Sequence, residues 1–381
     1  MAVAFDTSDR AIYTREHHDF RDRVRRFLTE EVLVEYPDWI DRGQPSRRFW
    51  ERAGEIGLLG IGIPEEYGGL PNSDFRHSAV VTEEIQRLGL AIGGLRVQTD
   101  ICVPYLLHHG SEAQRRHWLP RLASGQVVVA LALSEPGAGS DVKSMRTRAM
   151  RDGDHYVVNG SKTFISNGSI AGLVILAAKT DPAAGRNGVT LMLVEPSTAG
   201  FETGRKLDKL GLRAQDLAEL SFTDMRVPVA NVLGEVNAGF DYLTSNLAAE
   251  RLSIAVNSQA AAASALAWTV EALAGTRPSQ DVKFTLADCA VQVAAGQAFI
   301  DQAMGKLVAG ALTGADAAGA KLYSTELQGR IVRKCLGLHS AGTAYRASSR
   351  IGQAHLDGRV SRIYGGSSEI MKVIVSQHLG L

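Results

Sequence analysis

The chain has 381 residues, 45% of them hydrophobic, and its 41 basic side chains balance 41 acidic ones. This length exceeds that of one ordinary hydrophobic core, so two or three packed units are expected. Balanced charge without a basic face disfavours nucleic acid or an anionic membrane as a partner, and the lack of an apolar run of about 18 residues disfavours a membrane span.

The cysteines and the N-terminal segment bear on the compartment. Cys102, Cys289 and Cys335 lie far apart without metal-site spacing, so we expect reduced and mostly buried thiols. The opening residues, MAVAFDTSDR, lack the basic-then-apolar order of a signal peptide. The sequence therefore predicts a cytoplasmic location.

The first block, residues 1–125, has the period of helices. Ser46 precedes a helix that is predicted to begin near Arg47, because a serine hydroxyl caps the free amide groups at a helix start. Ser111 and Gln114 have the spacing of a capping box. The block is therefore predicted to form an N-terminal helical domain.

The second block, residues 126–234, changes to the period of strands. Its apolar segments are short, rich in Val, Leu, Thr and Phe, and separated by Gly, Asn, Asp and Pro. This spacing predicts an antiparallel β-barrel or sandwich rather than alternating strand–helix units.

The third block, residues 235–381, is helical again. Long helices are predicted at Asn246–Ala274, Phe284–Leu312 and Ala317–His339, the first of them closed by a glycine with a proline beyond it. Antiparallel helices of this length form bundles. The whole chain is therefore predicted to be an α+β multidomain protein that ends in a four-helix bundle.

Four motifs carry a resemblance to a known family. Residues 61–69 are IGIPEEYGG, residues 131–141 are LALSEPGAGSD, residues 160–168 are GSKTFISNG and residues 361–372 are SRIYGGSSEIMK. In this order they resemble the N-terminal block, the two flavin-contact segments and the C-terminal signature of the acyl-CoA dehydrogenases. The resemblance covers essentially the whole chain and implies the fold of that family, with FAD as the cofactor.

The resemblance also implies which residues meet the flavin. Leu133 and Ser134 would touch its pyrimidine side. Phe164, Ile165 and Ser166 would contact the ring from the other segment, with Ser166 near the reactive nitrogen. Phe164 stands where relatives often have tryptophan, so an aromatic ring remains for stacking but the indole donor is absent.

The C-terminal signature is expected to bind both the thioester and the far end of FAD. Gly365 and Gly366 permit unusual backbone angles and the close approach of a substrate. By resemblance, the Gly365 amide and a ribityl hydroxyl of FAD polarise the thioester carbonyl, which is an oxyanion-hole arrangement. Ser367 and Glu369 would reach the adenosine part of FAD, and Ser140 of the first flavin segment would contact the thioester tail.

The reaction of the family needs a carboxylate base beside the α-carbon of the substrate. Many relatives place a glutamate in the C-terminal signature, where this chain has Gly365. In the isovaleryl and long-chain branches the base instead lies on the first long helix of the C-terminal domain, followed by arginine, and LAAERLSIA provides Glu250 and Arg251 there. Arg251 is predicted to contact the substrate, and Ile254 and Asn257, on the helix face of Glu250, to line the acyl pocket.

Two cofactor-donating elements of the family are altered. The stretch TVEALAGTRPSQDVKF lacks an Ala-Phe-Gly core, and in LGLHSAGTA Gly337 replaces a glutamine while Ser340 and Ala341 replace glycines. In homo-oligomeric relatives these elements reach the FAD of a neighbouring subunit. Three explanations stay open: a homodimer or homotetramer that binds FAD less tightly, a hetero-oligomer with a paralogue that donates the missing arm, or a specialised branch that uses carrier-bound acyl groups.

The predicted function is α,β-dehydrogenation of an acyl thioester, carried by CoA or by an acyl carrier protein, with electrons passing to an electron-transfer flavoprotein or to oxygen. One alternative is a flavin monooxygenase on the same fold, such as an N-hydroxylase, which needs no carboxylate for α-proton removal. Another is a cofactor-deficient subunit of a hetero-oligomer. Glu250 and the intact YGG motif favour the dehydrogenase.

Other clusters of ionisable residues point to no further site. The adjacent pairs His17–His18 and His108–His109 lack metal-ligand spacing, so no metal site is predicted. Glu83 and Glu84 are expected to lie on a solvated helix face.

Overall fold

The computed structural model describes residues 10–141, 144–346 and 348–381. The helices of its N-terminal part are α1 (Arg15–Phe27), α2 (Leu33–Arg42), α3 (Arg47–Glu55), α4 (Phe75–Leu88), α5 (Gly93–Arg96), α6 (Val103–His109) and α7 (Glu112–Ala123). Two π-helical segments, Leu28–Val32 and Val97–Cys102, connect α1 to α2 and α5 to α6. The predicted helical character of this part is therefore confirmed.

Both predicted helix caps are present in the N-terminal part. The Ser46 hydroxyl accepts a hydrogen bond from the amide of Phe49 at 3.2 Å and so begins α3. Ser111 and Gln114 bind each other's backbone amides at the start of α7. These contacts satisfy amide groups that have no partner within the helix, which is why the chain turns into a helix at these residues.

Helix α4 packs on α1 through a buried network of ion pairs. Glu84 is 1% exposed, and its carboxylate accepts hydrogen bonds from Arg21 at 3.2 Å and from Arg25 at 2.9 Å. Glu83 accepts from Arg10 at 2.6 Å and from Arg21 at 2.7 Å. The prediction that Glu83 and Glu84 lie on a solvated face was wrong, because local periodicity does not reveal arginines that a second helix brings across.

The central part is a mixed sheet. Its strands are β1 (Val129–Ala132), β2 (Arg148–Asp152), β3 (His155–Ser166), β4 (Leu173–Lys179), β5 (Val189–Val194), β6 (Phe201–Lys206) and β7 (Leu217–Pro228). The order is β1–β4–β2–β3–β7–β6, and β5 also pairs with β4. Most pairs are antiparallel, but β1 and β2 each meet β4 in parallel.

The predicted central β domain is thus confirmed, with a topology that the sequence did not reveal. The β2–β3 hairpin lies between β1 and β4 along the chain. It supplies the long crossover that a parallel pair requires. Strand period alone does not distinguish such a sheet from a wholly antiparallel one.

The C-terminal part is helical. Its helices are α8 (Gly239–Ala272), α9 (Gln280–Val308), α10 (Gly314–Leu338), α11 (Ala341–Ala344), α12 (Arg350–Gly358) and α13 (Ser368–His378). The three long helices pack together, and α12 and α13 pack on α10 to complete the bundle. Within the described ranges, no helix is long and apolar enough to cross a membrane.

Helix α8 connects the three parts of the molecule. It contacts α9 and α10 in the bundle, α4 and α6 in the N-terminal part, and β5 in the sheet. All side chains from Glu250 to Val256 are buried. A helix that is buried around its whole circumference lies within a core rather than on a surface, so the predicted base lies where the three parts meet.

Candidate active site

A cavity of about 220 Å³ lies between α8, α6 and the end of strand β1. Its walls are formed by Tyr105, Leu131, Leu133, Ser140, Asp141, Phe240, Leu243, Thr244, Leu247 and Glu250. Half of these side chains are apolar and apolar atoms form most of the wall, while Glu250 adds a carboxylate from α8. The structure therefore brings together Glu250, Leu133 and Ser140, which the sequence had placed in one site from widely separated motifs.

Glu250 is a buried carboxylate that faces this cavity. Glu250 is only 8% exposed, and this burial raises the pKa of its carboxylate to about 7. Hydrogen bonds from Tyr105 and Asn246, and the charge of Arg251, lower the pKa and oppose part of this increase. A carboxylate with a pKa near neutrality can accept a proton from a weakly acidic carbon more readily than an ordinary glutamate.

Two partners of Glu250 were missed by the sequence reasoning. Oε1 of Glu250 accepts a hydrogen bond from the hydroxyl of Tyr105 and another from Nδ2 of Asn246, each at 2.9 Å. Asn246 precedes Glu250 by one helical turn, so the spacing of four residues was an available signal. Tyr105 lies on α6, far away along the chain, and no local pattern connects it with α8.

Gly365, which by resemblance stands where many relatives carry their base, lies against Ile254 of α8. Gly365 has a φ of +63°, and a β-carbon added to it would lie 2.3 Å from Cδ1 of Ile254. Gly366, with a φ of +95°, accepts a hydrogen bond through its carbonyl from Nζ of Lys321. The space beside the C-terminal signature is thus filled by an α8 side chain, which is consistent with a carboxylate on α8 instead.

Five residues that were predicted to contact substrate do not line the 220 Å³ cavity: Gly365 and Gly366, and the α8 residues Arg251, Ile254 and Asn257. Ile254 packs against Gly365, and Asn257 accepts a hydrogen bond from Gln86 at 3.0 Å beside a separate, smaller cavity. Arg251 is buried near Lys321, whose pKa falls to about 8 because of burial and of this guanidinium. Arg251 lies about 100° around the helix from Glu250, whereas Ile254 and Asn257 share its face but lie about 6 Å and about 10 Å further along the axis, beside other elements.

The two glycine-rich segments beside the cavity are joined by buried polar contacts. The amide of Thr163 donates to the carbonyl of Ser134 at 2.9 Å. Nζ of Lys162 donates to the carbonyl of Leu133 at 3.1 Å and to Oε1 of Glu135 at 2.9 Å. The side chains of Lys162 and Glu135 are 0% and 6% exposed. This ion pair fixes the relative position of the two segments and was not expected from the sequence.

The chain matches three models of one family over nearly its whole length. These are acyl-CoA dehydrogenase, N-terminal domain, over residues 14–126; the middle domain over residues 130–225; and the C-terminal domain over residues 237–380. The chain belongs to the acyl-CoA dehydrogenase family. The family and the fold that the motifs predicted are confirmed, and the protein is an oxidoreductase of this family.

Individual relatives are similar to this chain over nearly its full length. A long-chain specific acyl-CoA dehydrogenase, mitochondrial, from Sus scrofa is 38% identical, with 98% of this chain and 89% of that protein covered. An isovaleryl-CoA dehydrogenase, mitochondrial, from Pongo abelii is 34% identical, with 96% and 88% covered. The crystal structure of an acyl-CoA dehydrogenase from Geobacillus kaustophilus is 40% identical and superposes with a TM-score of 0.94, covering 97% and 99% of the two chains.

Phe164, Ile165 and Ser166, which were predicted to meet a flavin ring, lie at the end of strand β3. Phe164 has a φ of +59° and is 65% exposed, a strained and solvated position for a large ring. Ser166 accepts a hydrogen bond from Nε2 of Gln215 at 3.0 Å, so its own proton is free to be donated. The side chain of Ile165 is buried in the sheet core, so only its backbone can reach a ligand.

Ser367 and Glu369 lie at the start of α13. The Ser367 hydroxyl accepts a hydrogen bond from the amide of Ile370 at 3.4 Å and caps this helix. Glu369 is exposed, and the Ser367 hydrogen bond together with its own amide lowers the pKa of its carboxylate. Their predicted contact with the adenosine part of FAD stays a prediction.

A cluster outside the cavity joins His17, Asp74 and His77 within the described part of the chain. Nδ1 of each histidine accepts a backbone amide at 3.2 Å, from Thr14 and Asp74 respectively. A neutral ring that accepts through Nδ1 carries its proton on Nε2, which then has no lone pair for a metal. Arg76 also binds both oxygens of Asp74. The cluster therefore acts as a pair of helix caps.

Proposed function

We propose that this chain catalyses the FAD-dependent α,β-dehydrogenation of an acyl thioester, with Glu250 as the base. One observation carries the proposal: a buried carboxylate with a pKa of about 7 faces a largely apolar cavity whose wall also includes Leu133 and Ser140 of the first flavin segment. Acyl-CoA is the proposed substrate, as in the family, and an electron-transfer flavoprotein the proposed acceptor; a carrier-bound acyl group and oxygen are the alternatives.

The chain's own residues would act on the α-carbon and the carbonyl of the thioester. The Gly365 amide would polarise the carbonyl, which makes the α C–H bond more acidic. Glu250 would then take the α-proton, and the apolar walls Leu131, Leu243 and Leu247 would exclude water from the carboxylate. FAD, when bound, supplies the acceptor for the hydride that leaves the β-carbon.

Five residues would hold the ring of FAD. The backbone of Leu133 and Ile165 and the hydroxyls of Ser134 and Ser166 would meet its edge, while Phe164 would cover a face. Ser367 and Glu369 at the start of α13 are proposed to meet its adenosine end. The supporting observations are the exposed ring of Phe164 and the donor proton that Gln215 leaves free on Ser166.

The test is an anaerobic titration of the flavin-loaded enzyme with long-chain, isovaleryl and carrier-bound thioesters, followed by bleaching of the flavin band. Glu250→Gln is expected to keep FAD and to bleach at least about 10³-fold more slowly. Glu271→Gln is the matched control, because Glu271 lies on the same helix but is exposed. Near-normal bleaching in Glu250→Gln would remove Glu250 from the mechanism.

A further inference from the structure

We propose that Tyr105 and Asn246 are positioning residues for the base: together they hold Oε1 of Glu250 and so present Oε2 to the substrate. The inference rests on the proposed function for its chemical meaning. Its geometric content is independent of that function, because it concerns how one buried carboxylate is oriented. Neither residue was predicted from the sequence motifs.

The two hydrogen bonds converge on a single carboxylate oxygen. Tyr105 donates its hydroxyl proton and Asn246 donates from Nδ2, both to Oε1 of Glu250 at 2.9 Å. Within the described part of the chain, no side chain donates to Oε2. A carboxylate fixed in this way cannot rotate freely, and only Oε2 remains available to accept a proton from a ligand in the cavity.

Both donors are themselves held by the surrounding structure. Nδ2 of Asn246 also donates to the carbonyl of Ile101 at 3.3 Å, which orients the amide group. Ile101 belongs to the π-helical segment Val97–Cys102 that leads into α6. Tyr105 on α6 is 1% exposed, so its ring is locked by packing. The π-helical segment thus orients the amide of Asn246 on α8, and α6, which follows that segment, brings Tyr105 to the same carboxylate oxygen.

Charge supports the same role. Burial and the nearby Glu250 raise the pKa of the Tyr105 phenol far above its usual value, so it stays a donor across the working pH range. The hydrogen bonds from Tyr105 and Asn246 lower the pKa of Glu250, although burial holds it at about 7. Loss of either donor is therefore expected to raise that pKa further.

The first experiment measures the rate of anaerobic flavin bleaching against pH in the flavin-loaded enzyme. In Tyr105→Phe the rate of flavin bleaching at neutral pH is expected to fall roughly 10- to 100-fold, whereas KM should change by no more than about twofold. The pH at which the bleaching rate rises should be higher in Tyr105→Phe than in the wild type, and Asn246→Ala should shift it in the same direction. Tyr242→Phe is the control, because its hydroxyl binds the amide of Glu235 instead.

A second experiment needs neither flavin nor substrate. Because the folded pKa of Glu250 lies above its ordinary value of 4.5, the unfolded chain releases the proton first, and stability falls as the pH rises from 4.5 to about 7. Urea unfolding of the apoprotein over this range, compared with the same background carrying Glu250→Gln, reports this fall. In Tyr105→Phe this fall in unfolding free energy should continue to a higher pH than in the wild type.

The outcomes distinguish the positioning role from the proposed function. An alkaline shift in both series supports the positioning role. A slower Tyr105→Phe enzyme with neither profile shifted would overturn it and leave Tyr105 as a packing residue. If no thioester bleaches the wild-type flavin, the proposed dehydrogenation fails, whereas the unfolding series still decides whether Tyr105 and Asn246 hold the carboxylate.

Discussion

The two ends of the proposed flavin site differ in how far one chain completes them. At the ring end, Lys162 and Glu135 form an ion pair with almost no exposure, and Thr163 binds the backbone of Ser134. At the proposed adenosine end, Glu369 is exposed, and Gly337, which by resemblance would meet the FAD of a neighbouring subunit, has no atom within 4 Å of an added β-carbon. The chain therefore fixes the groups nearest the chemistry and leaves the far end on its surface.

This difference has a physical reason. Groups that touch the reacting atoms act through distances and angles, so they are held by buried contacts within one chain. Groups that only add affinity for a cofactor can lie on a surface and be completed by another subunit. By resemblance, the altered elements around Gly337 and Ser340 would reach the FAD of a neighbouring subunit, where a loss of contacts would change cofactor affinity rather than the position of the base.

The largest expected loss of stability comes from removing the Lys162–Glu135 ion pair at the ring end. Lys162→Met leaves the carboxylate of Glu135 buried without its cation, and the loss of one member of a buried pair costs about 3–5 kcal/mol. Urea unfolding of the flavin-free protein measures this loss. Arg205→Met is the control, because its pair with Glu219 is largely exposed and is worth about 1 kcal/mol or less.

Two outcomes decide the meaning of the Lys162 experiment. A loss similar to that of Arg205→Met would contradict a structural role for the ion pair. Restoration of stability by the double change Lys162→Met and Glu135→Gln would support it, because the second substitution removes the unpaired charge.

The sequence predicted the parts of the site that depend on local pattern. The helix that carries Glu250 and the caps at Ser46 and Ser111 follow from spacing and residue type within a few positions, and the two flavin-contact segments follow from their resemblance to the motifs of the family. Contacts between elements that are far apart along the chain, such as Tyr105 with Glu250, left no such trace. Their partners are chosen by tertiary packing, which a single sequence does not display.

The same limit explains the errors. Glu84 was expected in solvent, where Arg87 of its own helix could still bind it, yet α1 supplies two further arginines and the carboxylate is buried. Ile254 was expected in the acyl pocket because it shares a helix face with Glu250, yet Gly365 leaves a space that it fills. In both cases the deciding neighbour belongs to another element of the fold.

A medium effect on stability is expected at Gly365, whose amide is proposed to polarise the thioester carbonyl. Gly365→Ala meets two costs: a left-handed backbone, and a contact with Ile254 at 2.3 Å. We expect a loss of about 1–3 kcal/mol in unfolding free energy. Gly62→Ala is the matched control, because Gly62 has a φ of +75° with no atom within 4 Å of an added β-carbon.

The comparison of the two alanine variants isolates the contact. If Gly365→Ala costs no more than Gly62→Ala, Ile254 yields easily and does not explain why residue 365 lacks a side chain. If the extra cost disappears when Ile254→Val is added, the two positions exclude each other, and packing against Ile254 explains why residue 365 lacks a side chain.

The smallest effect on stability is expected at Gly337. The same substitution tests most directly whether the adenosine end is incomplete in one chain. Gly337→Gln restores the residue that relatives carry at an open position near the end of α10. The unfolding free energy should rise by roughly 0.5–1 kcal/mol, because glycine disfavours a helix. Flavin retained by the chain purified alone, measured as the absorbance ratio of flavin to protein, should rise as well.

Gly337→Ala separates the helix effect from the amide side chain, since only glutamine can bind the cofactor. A full flavin complement already present in the unmodified chain would mean that the altered arm costs no affinity and that no partner chain is needed.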